Sequence, residues 1–149
     1  MTRRRRTEQG TASLEVVIVA PFVLLLLMMI MAFGRYAQTE NIVDQASRDA
    51  ARAATAQNTR GEVPGLVAKV VKESMDDAPS SCRSSASQTT SMTPTAFGLP
   101  DPEDPLAIDS VTVTVRCTLD LSDLAGLPLN SVEISRTFTS PLDRYRGYQ

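Results

Sequence analysis

The apolar residues of the chain are concentrated in one uninterrupted run near its start. Positions 16–33 carry eighteen consecutive uncharged residues, VVIVAPFVLLLLMMIMAF. As an α-helix this run would be about 27 Å long, close to the ~30 Å thickness of the hydrocarbon core of a bilayer. A helix can cross that layer because its backbone groups bond to one another. The pattern predicts a transmembrane helix with a local bend at Pro21.

The pattern after this run changes to the spacing of an amphipathic helix. Apolar residues recur every three or four positions between residues 35 and 56, which include no proline. Within this apolar face, Ala46, Ala50 and Ala53 leave room for the close approach of another element. That element is either the globular domain of the same chain or the helix of another subunit, and both can apply along different turns. We expect one helix over about residues 13–56, roughly 66 Å long.

Shorter patterns predict the rest of the fold as α+β. An apolar stripe predicts a second helix over residues 63–75, with Pro64 in its first turn. Strict alternation predicts a strand over residues 111–119. A weaker alternation predicts another over residues 132–138, where Arg136 interrupts the apolar face. We therefore expect a small antiparallel sheet.

The remaining segments are predicted to be connections between these helices and strands. Residues 79–105 are rich in Ser, Thr and Pro and predict an exposed, mobile loop, with a third strand left open between residues 92 and 105. Residues 120–130 are long for a hairpin connection and contain four leucines, namely Leu121, Leu124, Leu127 and Leu129. This apolar connection either folds back on the sheet or faces a partner.

Charge is distributed unevenly along the chain. Residues 1–10 carry a net charge of +3, residues 11–34 carry only Glu15, and residues 35–149 carry a net charge of −4. The arginines at positions 3–6 favour a cytoplasmic N-terminus, which puts the part after Gly34 outside the cytoplasmic membrane. A cleaved secretory signal is disfavoured because the apolar run exceeds the usual 7–15 residues, whereas an uncleaved signal anchor remains a competitor. The net acidity argues against nucleic acid as a partner.

The composition excludes several classes of chemistry. With no histidine and two cysteines, the chain lacks a zinc cluster and the usual nucleophile–histidine pairs. Alternating prolines disfavour a calcium site at Asp101, Glu103 and Asp104. Nothing orients Asp120 and Asp123 as an acid–base pair. We expect no enzyme, no cofactor, no metal and no catalytic residue.

The two cysteines, Cys82 and Cys117, are expected to form one disulfide in an extracytoplasmic domain. With 34 residues between them, the chain-entropy model gives about 3–4 kcal/mol of stabilisation. In a reducing compartment they would be free thiols.

A carboxylate, Glu15, lies at the start of the apolar run. Its burial costs about 2.5–3.5 kcal/mol at the centre of a bilayer and less near the interface. Glu15 either lies at the level of the lipid headgroups or has a partner. If the chain is cut after Gly10, the new amino group of Thr11 lies one helical turn from Glu15, and the amine of a neighbouring subunit can neutralise the carboxylate.

An ordered set of residues resembles the TadE-like family of pilus-assembly pseudopilins. The set comprises Gly10, Glu15, Pro21, Gly34-Arg35 and the run Ala46-Ser47-Arg48-Asp49-Ala50-Ala51-Arg52. Its first part also resembles a type IV prepilin signal, although Val16 stands where related prepilins often carry an aromatic residue. The resemblance covers roughly residues 9–56.

The resemblance implies a minor pseudopilin of a tight-adherence type pilus assembly or secretion system. A prepilin peptidase would cut after Gly10, Thr11 would begin the mature chain, and Glu15 would act in assembly. The helix would lie in membrane lipid and pack against other pilins, pseudopilins and pilus-assembly proteins. The alternative is a permanent single-pass anchor with an extracytoplasmic binding domain that is never processed.

The implied organisation has four parts. A basic leader spans residues 1–10, a transmembrane segment spans 11–34, an exposed continuation of the helix spans 35–57, and a pilin-like extracytoplasmic α+β domain spans 58–149.

Overall fold

The fold combines one very long helix with two short helices and an antiparallel sheet. The computed structural model describes residues 8–98, 107–122 and 131–143, with side chains from Glu15 onward. The elements of these ranges are α1 (Glu8–Thr55), α2 (Val63–Ser74), α3 (Ser80–Ser85), β1 (Ser87–Met92), β2 (Ser110–Asp120) and β3 (Ser131–Pro141). The predicted α+β class, with its long helix, second helix and small sheet, is confirmed.

The first helix, α1, is continuous over 48 residues and contains Pro21. At 1.5 Å per residue it is about 72 Å long. Its first half is apolar, whereas its second half is rich in alanine, which has the highest helix propensity. The predicted helix is therefore confirmed, and it begins five residues earlier than expected, at Glu8.

The sheet has the strand order β1-β2-β3, and both pairings are antiparallel. Val113, in the central strand, lies opposite Thr90 of β1 and Phe138 of β3. One face of β2 is buried through Val111, Val113, Val115, Cys117 and Leu119. This face packs on α1, while α2 packs beside it through Val63, Val67 and Val71. The core thus lies between the sheet and the two helices, as the alternating pattern predicts.

The prediction of a mobile loop over residues 79–105 is wrong for its first half. Helix α3 and strand β1 both lie there. The sequence of β1, SQTTSM, lacks an apolar alternation because β1 is an edge strand whose side chains are exposed or half-buried. Its position is set by backbone pairing with β2, which a hydrophobic pattern does not reveal. The third strand therefore precedes the range 92–105; residues 99–106 lie outside the described residues.

The apolar connection between β2 and β3 is described only at its start. Leu121 is buried at the end of β2. Leu124, Leu127 and Leu129 lie outside the described residues, so the choice between a lid on the sheet and a surface for a partner stays a prediction.

Candidate functional site

The stem, defined here as residues 15–34 of α1, is an apolar helix with exposed side chains. Among its side chains only Met28 is half-buried and only Ala32 is buried. The exposed fractions of Val17 and Phe22 are 72% and 68%. Each Å² of apolar surface in water costs about 25 cal/mol, and a helix that is apolar all round needs a lipid or protein environment. Among the described residues, α1 is the one helix that is long and apolar enough to cross a membrane, and the stem is its apolar part.

The carboxylate of Glu15 lies at the beginning of the stem. The side chain is exposed and borders a shallow apolar groove on the helix surface, formed with Val16, Val19 and Val23. Gly10 and Thr11 lie on the same continuous helix. Because residues four apart occupy the same face of a helix, Thr11 lies one turn before Glu15. The Glu15 carboxylate, which can pair with a positive charge or accept a hydrogen bond, therefore lies beside an apolar packing surface.

The second half of α1 enters the head, which we define as the packed part formed by the described residues from Arg35 onward. The hydroxyl of Thr39 is buried and donates to the carbonyl of Arg35 over 2.8 Å. Ala46 and Ala50 are fully buried within the core of the same chain, whereas Ala53 is half-buried. Of the two packing partners predicted for the alanine face, the chain's own domain therefore covers Ala46 and Ala50.

Three side-chain contacts join α1 to β3 in matching order along both elements. The contacts are the ion pair of Glu40 with Arg136, the Arg48 guanidinium 5.5 Å from the ring centre of Phe138, and a 3.4 Å hydrogen bond between the hydroxyls of Thr55 and Ser140. From Glu40 to Thr55 they cover 15 residue steps of α1, about 22 Å of helix. The head is therefore fastened along the helix that carries the stem.

The ion pair explains the one charged residue on the buried side of β3. Arg136 lies opposite Val115, on the face of the sheet that packs against α1. Burial of an unpaired charge is costly, and Glu40 supplies the opposite charge from α1. In the sequence, Arg136 interrupts the apolar face of β3, and the pattern does not identify its partner. A charge at an otherwise apolar position was the signal that a partner exists.

The disulfide attaches α3 to the central strand. Cys82 and Cys117 are joined, and both residues are buried. The link connects positions 35 apart in sequence. Disulfides persist in oxidising compartments outside the cytoplasm, so this bond agrees with an extracytoplasmic head.

Two serines of α3 accept hydrogen bonds from the part of β2 that extends beyond its pairing with β1. The pairing of β1 with β2 ends at Arg116 of β2. Beyond that point the Thr118 backbone N–H donates to the Ser85 hydroxyl over 2.8 Å, and the Asp120 backbone N–H donates to the Ser81 hydroxyl over 3.1 Å. Side-chain hydroxyls of a helix thus satisfy backbone N–H groups at the edge of β2. The sequence pattern identifies neither serine.

Of the acidic residues considered for chemistry, only Asp120 lies within the described residues. The Ser122 backbone N–H donates to the Asp120 carboxylate over 2.8 Å and lowers the pKa of this exposed carboxyl below its ordinary value. Asp101, Glu103, Asp104 and Asp123 lie outside the described residues. Within the described ranges, no three His, Cys, Asp or Glu side chains come together as a set of metal ligands.

Comparison with known proteins gives a family match on the helix that carries the stem. Residues 10–52 match the model of a family described as TadE-like protein. The matched range runs from Gly10 through the stem to Arg52 in the head, which confirms the resemblance drawn from the sequence. No curated protein and no solved structure matches the chain.

Proposed function

From the TadE-like match, which suggests a protein associated with pili of the tight-adherence type, we propose that this chain is a minor pseudopilin. In this proposal a prepilin peptidase cuts after Gly10 and the stem holds the mature chain in the membrane. The chain then assembles or primes the pilus by packing helix against helix. One observation carries the proposal: the matched helix presents an exposed apolar stem and continues into a folded head.

The stem suits both a membrane and a filament. Its exposed side chains are apolar on all sides, so lipid can be exchanged for neighbouring helices without a large change in solvation. Glu15 is the exception, because a carboxylate is costly in an apolar environment unless it is paired. Cleavage after Gly10 creates an amino group at Thr11 in each subunit. The amine of one subunit and Glu15 of the next then neutralise each other.

The leader and the head fit this arrangement on opposite sides of the membrane. The arginines at positions 3–6 favour a cytoplasmic leader, where a peptidase acting at Gly10 would meet it. Gly10 has no side chain to hinder approach of the peptidase to the backbone. The disulfide between Cys82 and Cys117 belongs in an oxidising compartment, in agreement with an extracytoplasmic head.

The proposal is tested by the N-terminus of the protein taken from native membranes, measured by intact-mass spectrometry. We expect a chain that begins at Thr11. Gly10→Leu should leave the leader in place, whereas Glu15→Ala should be processed normally but impair pilus assembly. Val17→Leu, which changes a neighbouring exposed apolar residue of the stem, serves as the matched control and should support both steps.

Retention of the leader in the wild-type chain would contradict processing. It would favour a permanent single-pass anchor whose head binds a partner. Normal piliation by both the Gly10 and the Glu15 variants would exclude the pseudopilin mechanism.

A further inference from the structure

One end of the sheet lies towards the stem. The three contacts between α1 and β3 follow one another in the same order along both elements. Strand β3 therefore begins at the end of the head that is nearest the stem. Because β2 is antiparallel to β3, β2 finishes at the same end, where Asp120 lies opposite Ser131. We call residues 119–122 and 131–133 the stem end of the head.

The lengths of the two elements place the stem end beside the stem itself. From Arg136 back to Ser131, β3 covers five residue steps, about 16 Å. The same length of helix, measured from Glu40 towards the N-terminus, covers about eleven residues. A strand parallel to the helix axis would thus begin at the height of Met29, and a strand tilted by about 45° at the height of Ala32. Both heights lie within the stem.

The burial of two stem residues supports this height independently. Ala32 is 4% exposed and Met28 is half-buried, whereas the large apolar residues around them in the stem are 45–72% exposed. Ala32 belongs to the core of the head together with Leu119 and Leu121 of the stem end. Residues four apart share one face of a helix, so Met28 continues the face of Ala32. The packed side of α1 therefore extends below Gly34.

The bilayer reaches the same height on α1. The apolar run 16–33 is about 27 Å long as a helix, slightly less than the ~30 Å of the hydrocarbon core. If the stem crosses the membrane as proposed, Met28 and Ala32 lie at or just inside the boundary of the hydrocarbon on the side of the head. A headgroup layer about 5–8 Å thick lies above that boundary. The stem end of the head therefore meets this layer.

The described surface of the stem end has the chemistry of a headgroup contact. Its exposed residues are Asp120, Ser122, Ser131 and Glu133. A hollow at this end is lined by six hydroxyl side chains and by the carboxylate of Asp120. Hydroxyl groups donate hydrogen bonds to phosphate and ester oxygens, and carboxylates accept them from ammonium groups. Burial of these groups in hydrocarbon would be costly, so the surface suits headgroups and not lipid tails.

We propose that the stem end of the head binds lipid headgroups, so that the chain contacts the membrane through its head as well as through its stem. A headgroup with both a phosphate and an ammonium group, such as that of phosphatidylethanolamine, complements the hydroxyls and carboxylates of this surface. The inference rests on the proposed position of the stem in a membrane. It does not depend on cleavage after Gly10, so the N-terminal measurement and the test below can fail separately.

Three exposed residues of β3 provide a distance scale for this contact. Ser131, Ser135 and Thr139 lie on one face of the strand, at intervals of four residues or about 13 Å. Each is replaced singly by cysteine and labelled with a small thiol-reactive fluorophore. The native cysteines do not react, because they are joined in the buried disulfide. The labelled full chain is reconstituted into phosphatidylethanolamine and phosphatidylglycerol vesicles, with or without a lipid that carries a nitroxide quencher on its headgroup.

We expect headgroup quenching at position 131 to be at least about threefold stronger than at position 139, with position 135 between them, because the strand rises away from the bilayer. Iodide dissolved in the water should give the reverse order. Leu25→Cys, labelled in the same way, reports on the stem. Its fluorescence should be quenched by a lipid that carries the nitroxide on its acyl chain, since Leu25 lies near the middle of the apolar run.

Two kinds of result would overturn the proposal. Equal headgroup quenching at positions 131 and 139, or stronger quenching at 139, would exclude the headgroup contact while a quenched label at position 25 kept the stem in the membrane. Absence of acyl-chain quenching at position 25 would exclude the membrane position of the stem and the headgroup contact with it.

Discussion

At the scale of single residues, the fold depends on how it accommodates the few polar groups that its core contains. Arg136 is the clearest case, because it occupies the side of β3 that packs on α1. Its side chain remains 39% exposed and that of Glu40 28% exposed, so solvent screens part of their attraction. The attraction between the two charges should therefore be weaker than in a fully buried ion pair and stronger than in a pair on an open helix surface.

A double-mutant cycle with Glu40→Gln and Arg136→Met measures this contribution. We expect a coupling free energy of about 1 kcal/mol, since each single variant leaves the other charge without its partner. The measurement is pulse proteolysis of the head in urea, on the full chain in detergent micelles.

The pair Lys69 and Glu73 provides the control for this cycle. Its atoms are 4.0 Å apart and its side chains are 71% and 65% exposed. The corresponding cycle should give a coupling of at most about 0.5 kcal/mol. Equal coupling in the two cycles would mean that Glu40 does not compensate Arg136.

At the scale of elements, β2 organises the head because α1 and α3 pack on it while β1 and β3 pair with it. Its outer face pairs threonine with threonine across to β3, at 2.9 Å between Thr112 and Thr139 and at 2.8 Å between Thr114 and Thr137. Its end is covered by α3 through Cys82 and two serines. The six residues of α3 could not form a stable helix alone, so its position depends on these attachments.

Replacement of both cysteines, Cys82→Ser with Cys117→Ser, tests that dependence. We expect the free energy of unfolding of the head to fall by about 2–4 kcal/mol, since the link closes a long loop in the unfolded chain. The backbone N–H groups of Thr118 and Asp120 should also exchange with solvent faster, because their serine acceptors are on α3. Hydrogen exchange followed by mass spectrometry measures both effects.

The N–H of Val113 provides the internal control, because it lies in the centre of β2 between two strands. Its exchange should change only through global unfolding. Unchanged exchange at Thr118 and Asp120 in the double variant would show that α3 holds its place without the disulfide.

The sequence predicts the elements of this fold that bury an apolar face and misses those that do not. The alanine face, α2 and β2 each carry a periodic pattern that determines both their type and their orientation, whereas the stem is predicted by its uninterrupted apolar run. Strand β1 and helix α3 consist mostly of serine, threonine and glutamine, and their structure comes from contacts with β2 that are distant in sequence. The site follows the same rule: the sequence predicts the stem and Glu15, whereas the partner of Arg136 appears only when α1 and β3 are brought together.

At the scale of the whole molecule, α1 connects two regions that suit different solvents. The stem exposes apolar side chains throughout, while the sheet of the head presents threonine, serine and charged residues to water. Three contacts fasten the head to the same helix, so the orientation of the stem determines where the head lies. If the stem crosses the membrane as proposed, the positive-inside tendency puts the leader in the cytoplasm and the head on the opposite side.

Labelling of single introduced cysteines in intact cells tests this orientation. Asn58→Cys places a thiol at an exposed position of the head, and Thr2→Cys places one in the leader of the Gly10→Leu variant, which should keep its leader. A reagent that passes the outer envelope but not the cytoplasmic membrane should label position 58 in intact cells and position 2 only after lysis. Replacement of the arginines at positions 3–6 by glutamine should reduce labelling at position 58 in intact cells, because the leader then loses the charges that retain it in the cytoplasm. Labelling of position 2 in intact cells, in the Gly10→Leu variant that keeps its four arginines, would reverse the topology and remove the basis for cleavage at Gly10 from the cytoplasmic side.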